Sequence, residues 1–317
     1  MKKFLIISAN AIGDTYLSLS GANELIKIFP DAQIDFFIKP NSTFLFSDLE
    51  IVNNIFVYHN IYNLLTIGKK IVNKRYDFSF NFFPGRLNTL INLISNAKLK
   101  SGYWNLLPLK DWSSSNQVVN STVNNNLKII WGKEDNYLEL INLVFKKINF
   151  PFINTTKFIY PTTENYKHKT REYLLIHSCS KNQNRSFSNS HIQNLVSHLL
   201  KKFLLPIIII SDKNDRNAKF LESLITENVK LLKNPSIKDL IKLIREAKLF
   251  LGIDSFPLHL ADAYNGPFIG IFAPTNPSSV LINSQKSIRF EGNSLFNIPD
   301  EKFISTIMKK VSEIDFY

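Results

Sequence analysis

The sequence predicts an α/β fold of parallel sheets. Short buried apolar runs alternate along the whole chain with segments of helical period. The stretch 247–277, AKLFLGIDSFPLHLADAYNGPFIGIFAPTNP, shows that alternation at its clearest, as strand, turn, helix, strand and loop. Length adds a third constraint: 317 residues with 44% apolar content suit two domains, because single cores seldom grow far past about 250 residues.

Phe4 to Ser8 reads as a buried strand, Ala9 to Asp14 as a loop, Thr15 to Phe29 as an amphipathic helix and Gln33 to Ile38 as a second strand, a βαβ opening. The start MKKFLIISANA imitates a secretory signal but is shorter than the usual ~15 to 30 residues, so the strand reading prevails. Ile55 to Tyr58 and Phe78 to Phe82 are further strands, separated by a helix at Tyr62 to Asn73. Arg86 to Ser95 is a helix leading to the segment 98–103. The Ser- and Asn-rich stretch Asp111 to Asn126 reads as a solvated loop. Leu138, Ile141, Leu143 and Val144 mark a helix over Asp135 to Ile148.

Asn149 to Thr170 carries Pro151 and Pro161 without sustained periodicity and reads as a linker, giving domains of 1–155 and 156–317. Beyond it, strands at Tyr173 to His177, Ile207 to Ser211 and Val229 to Leu232 alternate with helices at Ile192 to Phe203, Ala218 to Thr226 and Ile237 to Glu246. Cys179 to Ser190 is a polar loop. In the segment that follows, Phe250 to Ile253 is a strand, Asp254 and Ser255 are N-cap residues, and Pro257 suits a first helical turn. Gly266 and Pro267 stop the helix before the strand Phe268 to Phe272. A last helix, Asp300 to Ile314, is a candidate to cross back onto the first domain.

The formal charge is +12, with 17 basic against 11 acidic residues up to Tyr160 and 21 against 15 beyond it. Basic surface spread over both halves suits acidic small molecules or an anionic membrane face. It suits nucleic acid less well, because no Lys/Arg stripe with interleaved aromatics is present. The single cysteine, Cys179, excludes an intramolecular disulfide and fits the cytosol. No apolar run approaches the ~18 residues of a spanning helix, so membrane contact is expected to be peripheral. The six histidines lack metal spacing such as HExxH, and neither metal nor cofactor is expected.

In such sheets ligands gather at the carboxyl ends of strands, where a helix N-terminus offers N–H groups to a phosphate. Asp254, Ser255 and Thr275 fall at such ends, and His259 follows Ser255 by one turn on the same helix face. Asp14 stands where the first strand gives way to a helix. Read alone, it is either an N-cap of a helix beginning at Thr15 or a carboxylate presented to a cleft.

The loop Asn10-Ala-Ile-Gly13-Asp14, the segment Asp254-Ser-Phe-Pro-Leu-His259-Leu-Ala and the turn Phe272-Ala-Pro-Thr275, taken together and in this order, resemble glycosyltransferase family 9, the lipopolysaccharide heptosyltransferases. The resemblance implies the GT-B arrangement of two facing Rossmann-like domains. It implies a nucleotide-sugar donor, usually ADP-heptose, on the C-terminal domain and a lipid-linked glycan acceptor on the N-terminal one. It makes Asp14 the catalytic base that takes the acceptor hydroxyl proton in an inverting transfer.

Lys181 and Arg185 would meet the diphosphate, Arg185-Ser-Phe187 resembling the family's basic-residue-then-Trp pattern, with Asp254, Ser255, Phe256, His259 and Thr275 around it and Asp215 on the ribose. Asn10, Gly13, Arg86, Lys98 and Lys100 are the acceptor candidates. Place of work would be the inner face of the inner membrane. Phe256 departs from the family's Gly, and Cys179 and Ser180 from its Gly-Ala loop. The Phe256 departure makes a UDP- or GDP-hexose donor an alternative, and a non-catalytic nucleotide-binding partner in envelope glycan assembly is a further one. A dinucleotide-dependent dehydrogenase is disfavoured, because Ser8 to Gly13 lacks GxGxxG spacing.

Overall fold

A computed structural model describes residues 1–47, 49–103, 127–130, 136–150, 155–161, 172–180, 182–212 and 215–314. The chain divides into two compact units, Met1–Tyr160 and Pro161–Tyr317.

The first unit runs β1 (Lys3–Ser8), α1 (Ile12–Ile28), β2 (Gln33–Ile38), β3 (Asn54–Val57), α2 (Ile61–Lys74), β4 (Phe78–Asn81), α3 (Arg86–Ile94), β5 (Leu99–Tyr103), β6 (Leu127–Ile130) and α4 (Tyr137–Lys146). Its six described strands are all parallel, in the order β3-β2-β1-β4-β5-β6. Period-two alternation sends the two halves of β1 to opposite faces. Leu5 and Ile7 join Leu64, Ile67 and Ile71 of α2 and Ile91 of α3. Phe4 enters an aromatic stack with Phe78, Phe80 and Phe150. α1 approaches closely because residue 21 is glycine: a Cβ there would lie 2.6 Å from the Phe82 ring.

The second unit runs β7 (Leu174–His177), α5 (Asn189–Phe203), β8 (Ile207–Ser211), α6 (Ala218–Ser223), β9 (Val229–Lys233), α7 (Ile237–Glu246), β10 (Leu249–Ile253), α8 (Phe256–Ala263), β11 (Phe268–Phe272), α9 (Pro277–Val280), β12 (Ser287–Arg289) and α10 (Asp300–Ser312). Its sheet, β9-β8-β7-β10-β11-β12, is again wholly parallel and repeats the strand order of the first. In both sheets the winding reverses beside the unit's first strand, between β1 and β4 and between β7 and β10. Crevices for ligands lie outside the carboxyl ends at such reversals.

Several details differ from the sequence reading. α1 begins at Ile12, so Gly13 and Asp14 stand inside its first turn rather than in a loop. The Asp14 carboxylate accepts from the Ala11 N–H at 3.4 Å, and an acidic group in the first turn is favoured by the positive end of the helix dipole. Thr155 to Tyr160, expected to be linker, are built into the first unit. The Phe158 N–H donates to Ser20 Oγ, its carbonyl accepts from the Tyr16 hydroxyl, and the Tyr160 hydroxyl donates to the Leu45 carbonyl.

α10 buries Phe303, Ile304, Ile307 and Val311 in the second unit's core. Its apolar face is spent there, against α5 and the sheet. The edge strands β6 and β12 and the 3-10 turn Pro40–Phe46 were not foreseen. They are short, and β6 is bordered by the expected loop Asp111 to Asn126, which lies outside the described residues.

Candidate functional site

At the carboxyl end of β1 the chain is stitched to the loop after β4. The Ala9 N–H donates to Asn88 Oδ1 at 2.9 Å. Asn88 Nδ2 donates to Asn10 Oδ1 at 2.6 Å and to the Phe83 carbonyl at 3.2 Å, and Asn10 Nδ2 donates to the Pro84 carbonyl at 3.2 Å. Both ends of the Asn10 amide are thus engaged within the fold, where they hold the turn that presents Gly13 and Asp14. Behind that turn the hydroxyls of Ser8, Thr15, Ser18 and Ser42 form a buried cluster. Asp14 is half-buried, and Arg86, the first residue of α3, is exposed at the same end of the sheet.

Lys98 and Lys100 are not with this group. Both belong to the start of β5, at the opposite end of a parallel sheet. Lys98 pairs with Asp77 at 2.8 Å, and Lys100 Nζ donates to the Leu93 carbonyl at 2.7 Å. The sequence does not show at which end of a strand such residues fall.

The second unit gathers its polar residues at the β7/β10 reversal. Asp254 directly follows β10 and is buried; Arg185, in the loop after β7, reaches it with Nη1 2.9 Å from Oδ2. This ion pair spans the reversal itself. Ser255 is the N-cap of α8, yet its side chain makes no capping bond. Its hydroxyl donates instead to the Ile253 carbonyl at 3.1 Å and lies 2.9 Å from His177 Nδ1. Pro257 has no N–H to offer, and the first turn of α8 is open to an anion through backbone groups rather than closed by its own cap.

His177 ends β7 and is buried; desolvation holds its imidazole below the ordinary histidine range against the opposing pull of Asp212 and Asp215. The ring is therefore neutral near pH 7. Asp215 is buried after β8 and accepts from the Asn217 N–H at 2.8 Å. The Cys179 thiol, beside Asp215, is pushed up to about 12, by burial first and then by that carboxylate. It is a buried thiol, not a nucleophile.

Phe256 opens α8 with its ring buried, His259 is buried one turn on, and Thr275 is half-buried after β11. The structure thus brings Arg185, Asp215, Asp254, Ser255, Phe256 and Thr275 to one end of one sheet. Lys181 lies outside the described residues. A cavity of about 400 Å³ adjoins this region on the side of Cys179, Ser186 and Arg216, next to the ion pair rather than around it. Among the described residues no group of three or more His, Cys, Asp or Glu side chains is arranged to hold a metal.

His177 does not stand out in the sequence, because a single histidine closing an apolar strand has no local signature. The signal available was its place at the carboxyl end of the second unit's first strand, opposite the Asp254-Ser255 turn.

Two sheets of identical winding, each with a polar loop cluster at its reversal, define the GT-B class with Rossmann-like architecture. The chain belongs to glycosyltransferase family 9 (heptosyltransferase), whose model matches residues 124–294. Lipopolysaccharide heptosyltransferase 1 of Campylobacter coli is 28% identical over 113 residues; the match spans 34% of this chain and only about a third (33%) of that relative's length.

Among solved structures, the E. coli heptosyltransferase WaaC with ADP superposes with a TM-score of 0.72 at 17% identity, covering 98% of this chain and 100% of that one. E. coli ADP-heptose LPS heptosyltransferase II gives 0.70 at 17% identity, covering 99% of each. The family 9 glycosyltransferase of Veillonella parvula gives 0.72 at 12% identity, covering 99% of this chain and 98% of that one. At such identities these likenesses speak for the fold.

Proposed function

We propose that this chain transfers heptose from ADP-heptose, with inversion and without a metal, to a lipid-linked lipopolysaccharide or lipooligosaccharide core acceptor at the cytoplasmic face of the inner membrane. The observation that carries this reading is the Arg185–Asp254 pair across the β7/β10 reversal, beside the uncapped start of α8. A diphosphate set there meets a guanidinium that exchanges Asp254 for phosphate oxygens, and backbone N–H groups aligned by the helix. Charge that develops on the leaving group is met by fixed donors of this kind.

The second unit is thus the donor domain and the first the acceptor domain. Asp14, fixed in the first turn of α1, takes the proton from the attacking hydroxyl. The identity of the relatives supports heptose and ADP: the solved neighbours include one heptosyltransferase, E. coli WaaC, both with ADP and with ADP-2-deoxy-2-fluoro heptose.

The test is transfer from ADP-heptose to isolated core acceptor, with Asp14→Asn binding ADP normally but failing to turn over. Normal transfer by that variant would remove Asp14 from the role of base. Phe256 favours one second reading, a UDP- or GDP-hexose donor, because its ring stands where a backbone approaches phosphate unhindered if the residue is glycine. A thermal-shift panel of ADP, UDP and GDP decides between them, the true donor nucleotide giving the largest rise.

A further inference from the structure

The outer surface of α2 and α3 in the first unit carries an apolar stripe that stays exposed. On α2, Ile61, Leu65 and Val72 are exposed, and on α3 Leu90 and Ile94, with Leu65 at 72%. Spacings of four and seven residues put each set on one side of its helix. The two sets adjoin, since a Cβ on Gly68 of α2 would lie 3.5 Å from Ile94 Cδ1. The neighbouring side of α2, Leu64, Ile67 and Ile71, is already committed to the core.

Charge on the two helices is of one sign. Lys69 and Lys70 on α2 and Arg86 on α3 are exposed, and neither helix contains an Asp or Glu. Tyr62, 83% exposed, adds an amphipathic ring of the kind that settles at a bilayer interface. Apolar groups flanked by cations, with no acidic side chain on either helix, complement an anionic lipid surface. The patch also has a direction. Both helices begin at the carboxyl ends of their strands, so Ile61, Tyr62 and Arg86 lie at the end of the sheet where Asp14 is presented.

We propose that the α2–α3 face is the surface by which this protein docks on an anionic bilayer. Resting on the acceptor reading above, it holds the first unit's crevice at headgroup level, where a lipid-linked acceptor displays its sugar.

The experiment uses the full chain and sedimentable vesicles, one set of phosphatidylglycerol with phosphatidylethanolamine and one of phosphatidylcholine alone. The protein is expected to sediment with the first and not the second. Lys69→Gln/Lys70→Gln is expected to weaken partitioning about 25-fold, at about fivefold for each cation lost. Leu65→Ser/Ile94→Ser is expected to weaken it at least about tenfold. Both variants should keep the parent unfolding temperature within about 3 °C, since all four side chains are exposed.

Failure of the parent chain to bind anionic vesicles, or unchanged binding by both variants, overturns the proposal. So does a parent dimer that Leu65→Ser/Ile94→Ser dissociates, which would make the face a self-association surface. Transfer to a deacylated, water-soluble acceptor is measured in parallel and should be unaffected by either variant. Loss of transfer by the parent chain itself would count against the functional reading alone.

Discussion

His177 Nδ1 lies 2.9 Å from Ser255 Oγ, and the same hydroxyl donates to the Ile253 carbonyl at 3.1 Å. A serine hydroxyl has one proton. With that proton directed to Ile253 the imidazole donates from Nδ1, and with it directed to His177 the Nδ1 atom accepts. His177 therefore turns the N-cap side chain away from α8 and keeps the helix start open.

Replacing that ring tests the consequence. His177→Ala is expected to cost about 1–3 kcal/mol of stability, since it leaves a cavity and an unanchored hydroxyl. It should also weaken ADP binding, because Ser255 is then free to cap α8. His177→Asn, whose amide can still donate, should recover most of the ADP affinity. Calorimetric titration with ADP, alongside thermal unfolding, separates the two effects.

Acid should destabilise the second unit before its carboxylates titrate. Burial lowers the folded-state pKa of both His177 and His191, so below about pH 6.5 the unfolded chain binds protons that the folded chain refuses. The stability this represents is present above the unfolded value and is lost as pH falls from there toward the folded values. The slope is at most about 1.4 kcal/mol per pH unit for each histidine. Denaturant melts between about pH 7.5 and about pH 5 should show the decline, and His177→Asn should flatten it. An equal slope in that variant would mean that His177 takes no part.

Arg185→Ala leaves the buried Asp254 carboxylate without its ion pair, an expected loss of about 1–3 kcal/mol. Arg185→Ala/Asp254→Asn should restore most of that stability, because the unpaired charge is gone. Donor affinity should remain low in both, since the guanidinium is missing in both. Recovery of donor binding by the double variant would show that Arg185 acts on Asp254 and not on the diphosphate.

For Asp14 the expected change is in turnover. Asp14→Ala should lower kcat by about 100- to 10,000-fold, the range of a lost general base, with the Kd for ADP unchanged. A Brønsted-type rescue by small exogenous carboxylates such as formate would strengthen the assignment.

Cys179 is buried and its thiol is pushed up to about 12. Native protein at about pH 8 should consume iodoacetamide at least about 100-fold more slowly than the unfolded chain, because thiolate is the reacting form. Mass spectrometry of quenched samples gives the rate. Fast alkylation would place the thiol in a different setting from the one beside Asp215.

The sequence by itself determined the strands and most helices, because apolar runs such as Phe4 to Ile7, Leu174 to Ile176 and Phe268 to Phe272 are fully buried in both sheets and have no other stable home. It also carried the residues of the second unit's polar end, since Asp254, Ser255 and Arg185 sit in short segments with cap and turn chemistry. What it did not carry was which residues from different segments meet.

At the start of α1 the Asp14 carboxylate turns back to the Ala11 N–H, and Thr155 to Tyr160 are held by hydrogen bonds to Tyr16, Ser20 and Leu45, more than a hundred residues away. Lys98 and Lys100 looked like acceptor groups until strand polarity set them at the far end of the sheet. His177 looked like nothing until β7 was paired with β10. Local patterns record which side chains avoid water. The pairing of strands far apart in the chain decides which polar groups are left at a common end, and only the tertiary structure holds that information.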